Sequence, residues 1–147
     1  MPKQIPLDDA TAETLRVALD LDQFYPVLGA EKAARLFPNS GLYQYVKDEK
    51  VVVENEESQD IYIIQTGSVA VTQSLGTAAA RLATLGAGDM FGEMAILRAG
   101  KRSATVAAQA PSRIFRLSLA DLKRIMSMDD KLSQHLTELA EKRLAGG

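Results

Sequence analysis

Hydrophobic and polar positions change their spacing twice along this chain. Up to about residue 40 the apolar residues group at helical intervals. Leu15, Val17, Ala18, Leu19 and Leu21 form an imperfect amphipathic row behind Asp8, Asp9 and Thr11, three residues suited to capping a helix N-terminus. Phe24, Tyr25, Val27 and Leu28 cluster around Pro26. Gly29-Ala30-Glu31 opens a second short helix, predicted over Glu31 to Phe37 and ended by Pro38-Asn39-Ser40-Gly41. Residues 1–7, with Pro2 and Pro6, read as a loose tail.

From Leu42 the pattern turns to short alternating or β-branched runs bounded by turn residues. Leu42 to Val46, Val51 to Val53, Ile61 to Gln65, Ser68 to Thr72 and Arg81 to Leu85 read as strands, with turns at Asn55–Asp60, Gly67 and Gly76. Thr105 to Ala108 and Arg113 to Leu117 are expected to pair with each other across Ala110-Pro111-Ser112. About eight short strands with close turns suggest a sandwich or roll.

Helical spacing returns at Ser118, where Ser118 and Asp121 make a capping-box-like start. Leu119, Leu122, Ile125 and Met126 share one face. After a break at Ser127-Met128-Asp129, a last helix places Leu132, Leu136, Leu139, Ala140 and Leu144 in one row. The fold class is therefore α+β, mainly β: an antiparallel, jelly-roll-like β-roll flanked by N-terminal helices and two C-terminal helices. Residues 1–147 read as one domain, with a helical segment at 1–40, the roll at 41–117 and the helix pair at 118–147.

Composition narrows the function classes. A chain of 147 residues is long enough for one proper core. A net charge of −2 argues against a broad nucleic-acid footprint. There is no apolar run long enough for a membrane span and no basic-then-apolar leader, so a cytoplasmic protein is expected. Cysteine is absent, which excludes disulfides and thiolate metal sites. The single histidine, His135, has no partner spacing for a metal or a catalytic triad and reads as a surface helix position.

The chemistry concentrates at residues 86–105. Gly86-Ala87-Gly88-Asp89 is a turn, and Met94 to Leu97 leaves room for about one helical turn. Gly100-Lys101-Arg102 forms a loop, and Ser103-Ala104-Thr105-Val106 begins a strand. Glu93 supplies an acceptor-only carboxylate, and Arg102 a planar donor suited to two phosphate oxygens at once. One anion clamp and one hydroxyl acceptor together fit a sugar phosphate.

Phe91, Gly92, Glu93, Ala95, Arg102, Ala104 and Thr105 fall without a gap on the pattern Phe-Gly-Glu, Ala, Arg-(Ala/Ser/Thr)-Ala-Thr. The stretch resembles the phosphate-binding cassette of cyclic nucleotide-binding domains, the family of catabolite activators, protein kinase A regulatory subunits and cyclic-nucleotide-gated channels. The resemblance extends from about residue 24 to residue 144, with Gly67 and Gly88 at family turn positions. Asn55 and Ser58 stand where the family often has Gly, and Lys101 where it often has Pro. The resemblance implies that Gly92, Glu93, Met94 and Ala95 belong to the ligand site. Glu93 would take the ribose 2′-hydroxyl and Arg102 the phosphate. Ser103 would add a hydroxyl and Ala104 its backbone N–H, while Gly92 and Ala95 permit close approach. Lys101 would add local positive potential. Leu82 and Val69 either line an apolar slot for the base or belong to the core. Arg143 either stacks on the base or is an exposed arginine near a helix end.

The expected function is a non-enzymatic sensor of cyclic AMP or cyclic GMP, with Ser103 leaning to cyclic AMP, that relays binding by movement of the C-terminal helices. The alternative is a ligand-independent protein-interaction domain of the same fold. A jelly-roll metalloenzyme usually needs several His ligands beside its carboxylates, and this sequence has one histidine and no cysteine. No cofactor or metal is expected beyond the nucleotide. A homodimer through the last helix or an attached effector domain would be the partner. The chain stops at Gly147 without a helix-turn-helix, so DNA binding is not expected of it.

Overall fold

In β4 (Ile61–Thr66), alternate side chains serve two different cores. Ile61 and Ile63 point to the helices, Tyr62 and Ile64 into the roll, and all four are buried. A strand covered on both faces reads as a continuous apolar run, as this one does. The structure is a computed structural model that describes residues 2–98 and 100–146, with side chains through Arg143.

The elements run β1 (Lys3–Ile5), α1 (Asp9–Ala18), α2 (Ala30–Leu36), β2 (Gly41–Tyr45), β3 (Lys50–Val52) and β4. They continue with β5 (Ser68–Leu75), β6 (Ala78–Gly86), β7 (Met90–Phe91), a 3-10 turn (Glu93–Ile96), β8 (Thr105–Ala108), β9 (Ser112–Leu117), α3 (Leu119–Met128) and α4 (Asp130–Gly146). Two antiparallel sheets result, ordered β1-β2-β9-β4-β7 and β3-β8-β5-β6. One core packs α1, α3 and α4 on the first sheet through Leu15, Leu19, Phe115, Leu122 and Leu136. The other fills the roll with Tyr45, Val52, Val69, Val106 and Ile114.

Three sequence expectations need correction. Residues 3–5 are not a loose tail; they add a strand to the edge of β2, with Ile5 opposite Leu42, because that edge offers unpaired backbone groups. β8 and β9 do not pair with each other. β9 is flanked by β2 and β4, and β8 by β3 and β5, so Ala110-Pro111 crosses from one sheet to the other. His135 is half-buried rather than on the open surface. Its Nε2 donates to the Leu19 carbonyl at 3.1 Å, and its ring lies 5.4 Å from that of Phe24.

The helix termini follow the capping chemistry with two rearrangements. Asp8 caps α1 through the Thr11 N–H at 2.8 Å, while Asp9 reaches across to the Ala30 N–H that opens α2. Ser118 accepts from the Asp121 N–H at 3.4 Å, but the Asp121 carboxylate turns inward. It accepts from the Asn39 N–H and Nδ2 and from Ser40 Oγ, all within 2.9 Å, which ties α3 to the α2–β2 loop. In α4, Leu132, Leu136 and Ala140 are fully buried, whereas the Leu144 side chain lies outside the described residues.

Candidate functional site

The turn before β4 straps the loop that carries Arg102. The Asn55 N–H donates to the Arg102 carbonyl at 2.8 Å, and the Arg102 N–H to the Glu56 carbonyl at 2.9 Å. Glu57 and Lys101 form a single bridge beside them. Asn55 has φ +70°, a left-handed conformation that asparagine tolerates. The backbone of Arg102 is thus fixed before its side chain is considered.

Its guanidinium is held by neutral groups. Nε donates to Ser58 Oγ at 2.9 Å and Nη2 to the Asp60 carbonyl at 2.7 Å. The charge lies 5.8 Å from the centre of the Tyr62 ring, within cation–π range. Tyr62 in turn stacks on Phe91, with centroids 5.1 Å apart and planes 13° from parallel. That stack, with the β4–β7 pairing of Tyr62 and Phe91, sets where the next residue, Gly92, begins the cassette.

Gly92 is glycine for two reasons. Its φ is +85°, and a Cβ would stand 2.7 Å from Arg102 Nη1 and 2.8 Å from the Asp60 carbonyl oxygen. After it, Glu93–Ile96 make one 3-10 turn.

A cavity of about 270 Å³ opens between the cassette and the roll. Gly92, Met94, Ala95, Arg102, Ser103 and Ala104 line it, as do Val52, Val71 and Val106 from the sheet. Six of the ten sequence candidates are therefore brought together around one space that has a cation on one side and valines on another. Arg98 and Lys101, both exposed, stand on its lining as further cations.

Four candidates do not line the cavity itself, although Glu93 adjoins the lining residues Gly92 and Met94. Val69 is fully buried in the roll core; Val71, two residues on and on the same face of β5, reaches the cavity instead. Leu82 is the extra residue of a β-bulge, since Val71 pairs with Ala83 and Thr72 with Arg81, and it is exposed. Glu93 turns toward α4, where Arg143 Nε donates to its Oε1 at 2.5 Å. Arg143 Nη2 also donates to the Met90 carbonyl at 2.9 Å. Arg143 therefore lies against the cassette and not over the cavity.

Sequence reasoning missed Ser58 and Val71. The one signal for Ser58 was a hydroxyl where a turn glycine is common. Val71 differed from Val69 only by one strand repeat. Gln73, whose Nε2 donates to the Ser103 carbonyl at 3.2 Å, gave no signal.

The profile of the cyclic nucleotide-binding domain matches residues 42–129, and the chain belongs to that family. It is 36% identical over 120 residues to the Pycsar effector protein PaPycTIR of Pseudomonas aeruginosa, covering 80% of this chain and 38% of that protein. It is 39% identical over 79 residues to the potassium channel AKT2 of Oryza sativa, covering 53% of this chain and 9% of the channel. The chain thus spans well under half the length of these relatives. Among solved structures, a cyclic nucleotide-binding domain from Methylobacillus flagellatus superposes with a TM-score of 0.77 at 21% identity, covering 99% of this chain and 84% of that one. Among the described residues no helix is long and apolar enough to cross a membrane.

Proposed function

We propose that this domain is a non-enzymatic sensor of a 3′,5′-cyclic nucleotide. The observation that carries the reading is Arg102: a half-buried guanidinium on a cavity wall whose hydrogen-bond partners are a hydroxyl and a carbonyl, with no carboxylate among them. A phosphate there would gain charge-assisted bonds that the chain itself does not supply. The Ala104 backbone and the Ser103 hydroxyl would complete the phosphate contacts, Glu93 would accept from the ribose 2′-hydroxyl, and the base would rest against Val52, Val71 and Val106.

The relay would pass through α4. Arg143 on α4 touches the carboxylate assigned to the ribose, so ligand and helix position meet at one side chain. Glu93 has a second oxygen for the hydroxyl, so docking of the Arg143 turn of α4 and ribose binding reinforce each other, and the coupling is reciprocal. An attached effector domain is the natural recipient, as the greater length of the relatives supports.

Isothermal titration with cyclic AMP, GMP, CMP and UMP tests the reading. One site is expected, with cyclic AMP bound at least as tightly as cyclic GMP. At about 100 times the dissociation constant the ligand should stabilise the fold by roughly 2.7 kcal/mol. No heat and no thermal shift with any of the four at millimolar concentration would favour the protein-interaction alternative.

A further inference from the structure

Two arginines meet at Asp60 and divide it between them. Its main-chain carbonyl accepts from Arg102 Nη2 at 2.7 Å, and its carboxylate from Arg116 Nη1 at 2.8 Å. Arg116 lies on β9 directly opposite Tyr62 and over the ring of Tyr43, 5.6 Å from its centre. The carboxylate and the carbonyl share one Cα, so the strongest acceptor near Arg102 sits only a few bonds from an acceptor that Arg102 already uses. Among the described residues no carboxylate oxygen lies within 4 Å of the Arg102 guanidinium. The Asp60 and Arg116 side chains are 27% and 34% exposed, so water screens their pairing only in part.

We propose that Arg116 is a positioning residue for anion capture. By holding the Asp60 carboxylate it keeps Arg102 without an internal counter-ion, and so open to the ligand phosphate. A carboxylate beside Arg102 would compete for the same donors and would repel the phosphate as well. Ser58 serves the same end from the other side, since a hydroxyl fixes the direction of Nε without neutralising the charge. This inference rests on the sensor reading above.

The test is a set of titrations of Arg116→Gln, Asp60→Asn and the double variant with whichever of the four cyclic nucleotides the wild type binds. Arg116→Gln should weaken binding roughly tenfold, because the freed carboxylate turns on Arg102. Asp60→Asn should tighten binding by about threefold at low salt, a gain that fades as salt rises. The double variant should recover to near the wild-type affinity. An ion pair that merely fixes β4 against β9 gives the opposite pattern: Asp60→Asn weakens binding as much as Arg116→Gln, and the double variant stays weak. That pattern, or undiminished binding by Arg116→Gln, overturns the proposal while leaving the sensor reading in place. Should Arg116→Gln not fold, Asp60→Asn decides alone, since tighter binding supports the proposal and weaker binding overturns it. A wild type that binds none of the nucleotides overturns both.

Discussion

Arg143 Nε donates to Glu93 Oε1 at 2.5 Å, so the last helix holds the carboxylate assigned to the ribose. The bond fixes one carboxylate oxygen and leaves the other for a hydroxyl. Arg143 is 40% exposed, which limits what the pair contributes to about 1 kcal/mol, or roughly fivefold in affinity. Arg143→Ala should therefore weaken nucleotide binding by a few-fold. In a Glu93→Ala background the same substitution should change nothing, because its effect runs through that carboxylate. A titration-based double-mutant cycle checks this, and additive losses would mean that Arg143 contacts the ligand directly.

Arg102→Ala should nearly abolish binding and leave the domain folded. Charge-assisted hydrogen bonds contribute about 1.5–3 kcal/mol each, so losing two weakens binding by a factor on the order of 100 or more. The fold loses the side-chain bonds to Ser58 and the Asp60 carbonyl and the contact with the Tyr62 ring, while the backbone bonds to Asn55 and Glu56 remain. Titration together with a denaturant melt separates the two effects. Affinity equal to the wild type would place the phosphate elsewhere.

Gly92→Ala should damage both stability and binding. The left-handed φ of +85° costs a side chain on the order of 1–3 kcal/mol. The new methyl would also press on Arg102 Nη1 and on the Asp60 carbonyl, displacing the guanidinium of a residue that lines the cavity. A lowered urea midpoint with weaker nucleotide binding is expected. A neutral result in both would show that the cassette adopts a different turn at this position.

Local chemistry made the layout of the cassette legible, because its residues are close in sequence: a glycine for the turn, one short helical turn after it, and an arginine on the following loop. The strand runs were legible from their period. What was not legible depended on distant partners. Lys3–Ile5 became a strand only because β2 had a free edge. β8 and β9 look like a hairpin until each is given its two true neighbours. Ser58 matters only once Arg102, forty-four positions on, comes to lie 2.9 Å away. Leu82 carries an apolar side chain in a strand run, yet β6 is exposed on both faces from Arg81 to Thr84, so it meets solvent and not the cavity.

The position of Leu132, Leu136 and Ala140 limits how α4 can transmit a signal. All three are at most 1% exposed in the main core, and His135 is anchored to the Leu19 carbonyl between them. Swinging the whole helix away would expose two buried leucines, at about 1.5–3 kcal/mol each, before any other loss. The single Arg143–Glu93 contact, at about 1 kcal/mol, is too weak to offset that. Movement on binding should therefore be confined to the turn around Arg143, past Ala140, the last buried position among the described side chains. Hydrogen exchange with and without saturating nucleotide is the measurement. Protection should rise in the Gly92–Ala104 cassette and at Glu141–Arg143, and should stay unchanged from Leu132 to Leu139. A change spread evenly over the helix from Asp130 onward would mean that α4 moves as one body, and that the ligand supplies far more coupling energy than the Glu93 contact can carry.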